Sequence, residues 1–183
     1  FDALRLGGSA FAQTMNCVGD DVPTVQNPEY FAAAFNAIQM LVKEGIILAG
    51  HDISAGGLIT TLLEMCFANV EGGIEVDFSG IAEADLVKLL FAENPGLVIQ
   101  VADADKEKMQ DIFEEAGVCF MKIGTPSKKR QIAVAHNKRT RLFDIDYMRD
   151  VWFDSSYLMD RKQSFHGCAD ERLQNYKNQP LKF

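Results

Sequence analysis

An uninterrupted apolar run, Ile46-Ile47-Leu48-Ala49, is closed by Gly50 and followed at once by His51-Asp52-Ile53-Ser54-Ala55-Gly56-Gly57-Leu58. No other stretch restricts the fold as tightly. The run is short enough for a buried central strand. Beyond it, Leu58, Leu62, Met65 and Asn69 recur at helical spacing, with Cys66 and Phe67 widening the apolar face. A strand therefore enters the turn and a helix leaves it.

Two readings of the turn stand side by side. In the first, Ser54 is the helix N-cap and Gly56 and Gly57 fall in the first turn, where absent side chains let an anion reach free backbone N–H groups. The unpaired amides and the positive end of the helix dipole then favour phosphate. Asp52 supplies a carboxylate for a magnesium ion sharing the phosphate oxygens. In the second, Ser54 merely caps, the glycines allow close helix–sheet packing, and Asp52 is a solvated turn residue. The pattern is neither a Walker P-loop nor a dinucleotide fingerprint. His51 beside Asp52 is too little for a metal-dependent hydrolase, since His136 and His166 lie in quite different contexts.

The length of 183 residues, 48% hydrophobic and 24% charged, suits one globular domain with a sizeable core and an extension. A formal charge of −8 argues against a nucleic-acid partner, because a phosphate backbone is held mainly by clustered Lys and Arg. Cys17, Cys66, Cys119 and Cys168 are scattered without a Cys-x-x-Cys, so free thiols in a cytoplasmic protein are expected. No run approaches the roughly 20 apolar residues of a membrane span. The chain opens on Phe1, from which a piece of a longer polypeptide is expected.

Taken in order, Gly7-Gly8-Ser9 opens a short helix, either as a phosphate nest or as a simple cap. Asn27 caps a helix with Pro28 at its first position and Gly45 as its stop; Phe31, Phe35, Ile38 and Val42 form its expected buried stripe. Ile74, Val76 and Phe78 alternate along a strand covered on one face. Glu83 to Phe91 reads as a short helix. Glu93-Asn94-Pro95-Gly96 breaks the chain before a second apolar strand, Leu97 to Val101, expected to be central.

Asp103 or Asp105 caps the following helix, with Met109, Ile112, Phe113 and Ala116 as its stripe and Gly117 as its left-handed stop. Val118 to Ile123 reads as a strand, and Gln131 to Ala135 with Arg141 to Ile145 as a hairpin-like region. From Lys128 to Arg141 there are six Lys and Arg and no acidic residues: a solvated hairpin that keeps a sheet edge soluble, or a docking face for an acidic neighbour or for phosphates. Ile145, Met148 and Trp152 mark a last amphipathic helix. Residues 161–183 turn polar, as a linker does. The order of elements predicts a mixed α/β fold, a layered α/β/α domain with a mixed sheet over 1–160.

Leu6-Gly7-Gly8-Ser9-Ala10, the His51-to-Leu58 turn, Leu62-Leu63-Glu64-Met65 and Gly96-Leu97-Val98-Ile99-Gln100-Val101 together resemble one family. It is the large, single-chain phosphoribosylformylglycinamidine synthase, and the resemblance is to the C-terminal domain of the second of its two synthetase modules. Trp152 to Met159 followed by Cys168-Ala169-Asp170 is similar to the segment that precedes the family's glutaminase domain.

The resemblance implies a ligase of purine biosynthesis that converts formylglycinamide ribonucleotide, ATP and glutamine to formylglycinamidine ribonucleotide. It implies the fold of the C-terminal domain of aminoimidazole ribonucleotide synthetase. By position, Asp52 resembles a magnesium ligand and Ser54 a nucleotide-contacting residue of an auxiliary Mg²⁺–ATP/ADP site, with Gly56 and Gly57 in the same set as residues that shape the turn. Ala55 stands where family members carry an acidic residue, and Pro95-Gly96 replaces a longer acidic run. No catalytic residue is assigned: the glutaminase nucleophile belongs to a domain after this chain, and other ligands to the remaining domains of the full-length chain. The isolated chain is expected to be inactive. The alternatives are another ATP-dependent member of the superfamily, such as selenophosphate synthetase or thiamine-phosphate kinase, and a purely structural docking module.

Overall fold

A computed structural model describes residues 3–175. The opening Phe1 and the last part of the polar tail, with Pro180, lie outside the described residues. The elements are α1 (Ala10–Thr14), α2 (Pro28–Lys43), β1 (Ile47–Asp52), α3 (Gly57–Phe67), β2 (Gly73–Asp77), α4 (Leu86–Phe91), β3 (Leu97–Val101), α5 (Lys106–Glu115), β4 (Gly124–Ser127), β5 (Gln131–His136), β6 (Arg139–Asp144), α6 (Ile145–Gln163) and α7 (Cys168–Asn175). A single 3₁₀ turn, Asp103–Asp105, precedes α5. The fold is mixed α/β with a mixed sheet, as predicted. The chain forms two compact units, Phe1–Thr61 with Ala82–Lys122, and Leu62–Ile81 with Ile123–Phe183.

In the first unit the core is Ala37, Leu41 and Ile46 packed with Met109 and Phe113, so α2 and α5 close over the start of β1. The start of α2 is as the sequence predicts. The Asn27 side chain accepts the Tyr30 N–H at 2.9 Å, and Pro28 occupies the first turn, where its missing N–H costs nothing. The buried stripe agrees with the predicted one only at Ile38, which packs against this core. Phe31, Phe35 and Val42 are exposed, and the helix faces the core with Ala37 and Leu41. Most faces of α2 carry apolar residues, so periodicity could not choose between stripes; the small alanine allows the closer approach.

The two apolar strands also differ from expectation. β1 and β3 pair antiparallel in a two-stranded sheet, with His51 opposite Val98 and Asp52 opposite Leu97. Neither strand is central, and Leu48 is 60% exposed. β1 also runs through His51 and Asp52, placing both on a strand instead of in the turn. Val118 to Ile123 forms no strand: Val118 N–H closes α5 onto the Phe113 carbonyl, Cys119 N–H donates to the Tyr30 hydroxyl at 2.9 Å, and Phe120 stacks on Phe113. The Val118 and Cys119 amides are thus taken outside any ladder, and only at the far end does the Ile123 carbonyl accept the Asp77 N–H, at 2.8 Å.

The second unit holds a four-stranded sheet in the order β4-β2-β5-β6, with β2 parallel to β5 and the other pairs antiparallel. Val76, Phe78, Ile132, Val134 and Ile145 are buried here, in agreement with the alternation read from β2. β5 and β6 form the predicted hairpin, joined by Asn137 and Lys138, both at positive φ (48° and 61°). The last amphipathic helix is α6, capped by the Asp144 side chain on Tyr147 N–H. Polar sequence read as linker continues α6 to Gln163 and forms α7, held to α6 by the Arg172 guanidinium on the Asp160 carboxylate and the Tyr157 hydroxyl on Asp170.

Of the basic segment, Arg130 is not solvated. Its Nε and Nη2 donate to Asp146 and its Nη1 to the carbonyls of Cys66 and Gly72. It closes the end of α3 and the approach to β2. Arg139 and Arg141 are exposed on β6, an outer strand of the sheet, which both readings of that segment require.

Candidate functional site

Every predicted site residue belongs to the first unit, within one short run. Ile53 N–H donates to the Gly96 carbonyl at 2.8 Å, the last backbone tie to the segment leading β3. The chain then turns through Ser54 and Ala55, both exposed, to Gly56 and Gly57 at φ +89° and +73°. Side chains rarely adopt that backbone, and space forbids them as well. A Cβ on Gly56 would stand 2.2 Å from Thr60 Oγ1, and one on Gly57 2.7 Å from the Leu90 carbonyl oxygen and the Phe91 backbone. Both glycines are thus required by shape. α3 begins at Gly57, two residues later than a Ser54 cap requires. What Ser54 gives the helix start is its carbonyl, which accepts the Gly57 N–H at 3.0 Å.

The free amides expected at this turn are occupied. Gly57 N–H is taken by Ser54, and Gly56 N–H donates to Glu93 Oε1 at 2.8 Å. The same oxygen accepts the Ala10 N–H, also at 2.8 Å, at the first residue of α1. One carboxylate oxygen therefore serves both glycine turns singled out in the sequence. The Gly7-Gly8-Ser9 turn is a cap in its own right: Ser9, buried, accepts the Ala12 N–H and donates to the Leu6 carbonyl at 2.6 Å.

Glu93 is held from both sides. Asn94 Oδ1 accepts the Arg5 N–H and its Nδ2 donates to the Ala3 carbonyl, while Phe91 stacks on Phe11 at 4.8 Å between ring centroids. The sequence showed Glu93-Asn94-Pro95-Gly96 only as a chain breaker. An acceptor that reaches over 80 residues back leaves no local signal.

Asp52 points outward, its side chain 69% exposed, with His51 Nδ1 3.6 Å from the carboxylate and 2.7 Å from the Asp52 carbonyl oxygen. Its backbone is fixed from the other side by Thr61, whose buried hydroxyl donates to the Asp52 carbonyl at 3.0 Å. Asp52 thus offers a hard oxygen donor on a rigid strand end. Among the described residues no group of three His, Cys, Asp or Glu side chains converges to hold a metal ion. Asp52 alone offers one oxygen ligand, where a magnesium ion takes about six. A concavity of about 350 Å³ in this unit lies between α1 and residues 17–21; Gly7 of the first glycine turn lines it, and none of Asp52, Ser54, Gly56 and Gly57 does.

Residues 2–137 match the family described as AIR synthase related protein, C-terminal domain. The chain belongs to that family. It is 34% identical over 171 residues to the human protein named phosphoribosylformylglycinamidine synthase, covering 91% of this chain and 13% of the relative. To the Arabidopsis thaliana protein named probable phosphoribosylformylglycinamidine synthase, chloroplastic/mitochondrial, it is 32% identical over 175 residues, covering 94% of this chain and 12% of the relative. This member of the family thus spans about an eighth of the length of the curated relatives it matches. Among solved structures, Thermotoga maritima PurL complexed with ATP shares the fold with a TM-score of 0.60 at 14% identity, over 79% of this chain and 24% of that one. Among the described residues no helix is long and apolar enough to cross a membrane.

Proposed function

We propose that this chain is the part of a phosphoribosylformylglycinamidine synthase that contributes one wall of a magnesium–nucleotide site, within a cytoplasmic ATP-dependent ligase of purine biosynthesis. The observation that carries the reading is Asp52: an outward carboxylate on a fixed strand end, directly before a turn that only glycine can make, in a chain 34% identical to a protein of that name. The ATP complex of a protein with the same fold supports it.

In this reading Asp52 donates one oxygen to the magnesium ion, and the exposed Ser54 hydroxyl contacts the nucleotide. Gly56 and Gly57 shape the corner without touching phosphate. A bound magnesium ion would supply charge neutralisation at the phosphate oxygens. The other ligands, the amidation site and the glutaminase come from the remaining domains of a longer chain, so the 183-residue chain alone neither amidates substrate nor releases ammonia from glutamine.

The test is calorimetry of magnesium–ADP against the 183-residue chain and Asp52→Ala. Saturable heat from the parent, lost in the variant, is the expected result. Equal heats from both would leave Asp52 without a role. A docking module without its own ligand is the second reading, favoured by Phe31, Phe35 and Val42 standing exposed on α2; it predicts no heat from either protein.

A further inference from the structure

We propose that Glu93 is a specificity-determining residue: its carboxylate is the resident anion of the two glycine turns and closes their amides to phosphate. Two backbone N–H groups from separate parts of the chain, Ala10 and Gly56, converge on one oxygen, each at 2.8 Å. Such paired donors are what an incoming phosphate oxygen would use. Here a carboxylate from the same chain already fills the position, in charge-assisted hydrogen bonds that a neutral acceptor matches only weakly.

Its position is built in. Ala92 beside it is buried, Asn94 ties residues 3 and 5 to the same loop, and the Leu90 carbonyl and Phe91 backbone abut Gly57 so closely that no Cβ fits between them. The backbone beneath Glu93 is fixed in this way, and turning its side chain away would break both hydrogen bonds to Ala10 and Gly56. A ligand phosphate would have to displace the carboxylate and would meet its negative charge at close range. Any anion accepted at this corner therefore approaches from the Asp52 and Ser54 side, with its charge already neutralised by a cation. For that ligand the inference rests on the nucleotide reading above; the exclusion of phosphate from the amides does not.

The experiment is a titration of the 183-residue chain with inorganic phosphate, free of magnesium, followed by the amide resonances of Gly56 and Ala10. In the parent neither resonance should respond. In Glu93→Ala both should shift saturably, with apparent phosphate affinity at least about tenfold above the parent's. Glu93→Gln keeps an acceptor oxygen but no charge, so in phosphate-free buffer both amide protons should move upfield. The proposal is overturned if the parent responds to phosphate like Glu93→Ala, or if Glu93→Ala, otherwise folded, shows no response at those two amides. Should Glu93→Ala not fold, unchanged Gly56 and Ala10 resonances in Glu93→Gln overturn it. In the calorimetry above, no heat from the parent, or equal heats from the parent and Asp52→Ala, would count against the nucleotide reading alone.

Discussion

The Thr61 hydroxyl donates to the Asp52 carbonyl across the 54–57 turn, at 3.0 Å, so the second turn of α3 fixes the strand end whose carboxylate faces solvent. Thr61 is 1% exposed and its hydroxyl also lies 3.3 Å from the Gly57 carbonyl. Thr61→Val keeps the shape and removes the donor. A loss of about 1 kcal/mol is expected, read as a lower urea midpoint at unchanged slope.

Glycines at positive φ separate into those that need space and those that need only conformation. Gly57→Ala would drive a methyl group into the Leu90 and Phe91 backbone, whereas nothing lies within 4 Å of a Cβ on Gly117, at φ +64°. Gly117→Ala should cost about 1–2 kcal/mol, the ordinary left-handed penalty. Gly57→Ala should cost clearly more, up to failure to fold. Chemical denaturation of the two variants side by side measures the difference.

Arg130 makes four of its bonds from a side chain only 17% exposed. Lysine can replace its charge but not a fork that reaches the Asp146 carboxylate and two backbone carbonyls at once. Arg130→Lys should therefore lose about 2 kcal/mol, most of what Arg130→Met loses. A Lys variant as stable as the parent would show that charge alone matters here.

The hydrogen bond from Ser164 and the guanidinium of Arg172 hold the Asp160 carboxyl below its ordinary value of 3.8. A carboxyl depressed on folding stabilises the folded chain above its unfolded pKa, and that contribution is lost as pH falls through the depressed value. Asp160→Asn removes it at every pH. The thermal midpoint of the variant should consequently lie below the parent's near neutrality and converge with it in acid, because the parent alone loses stability there.

How far these features were legible follows from what a sequence encodes locally. The Asn27 and Pro28 start of α2, the Gly117 stop, the alternation of β2 and the hairpin of β5 and β6 each depend on residues close in the chain, and all four are found in the structure. The apolar strands were read as central because an unbroken apolar run looks the same whether its faces are covered by this chain or left open, as Leu48 is. Glu93 and Arg130 were read as breaker and surface charge because their partners are distant in sequence, and only the folded backbone brings those partners within reach. The strand–turn–helix order was legible; that Asp52 ends the strand, that Ser54 does not cap α3, and that the Gly56 amide is filled were not.

The two-residue connection at Asn137 and Lys138 bears on how the protein ages. Both residues sit at positive φ, where glycine in the second place would relieve strain. Yet an asparagine followed by glycine is open to attack by the next backbone nitrogen on its side-chain amide, and cyclises and deamidates readily. A residue with a β-carbon in the second place, as Lys138 is here, crowds that nitrogen and slows the attack. Some conformational ease is given up at this bend, and in return Asn137 is followed by a residue beside which that cyclisation is slower than beside glycine.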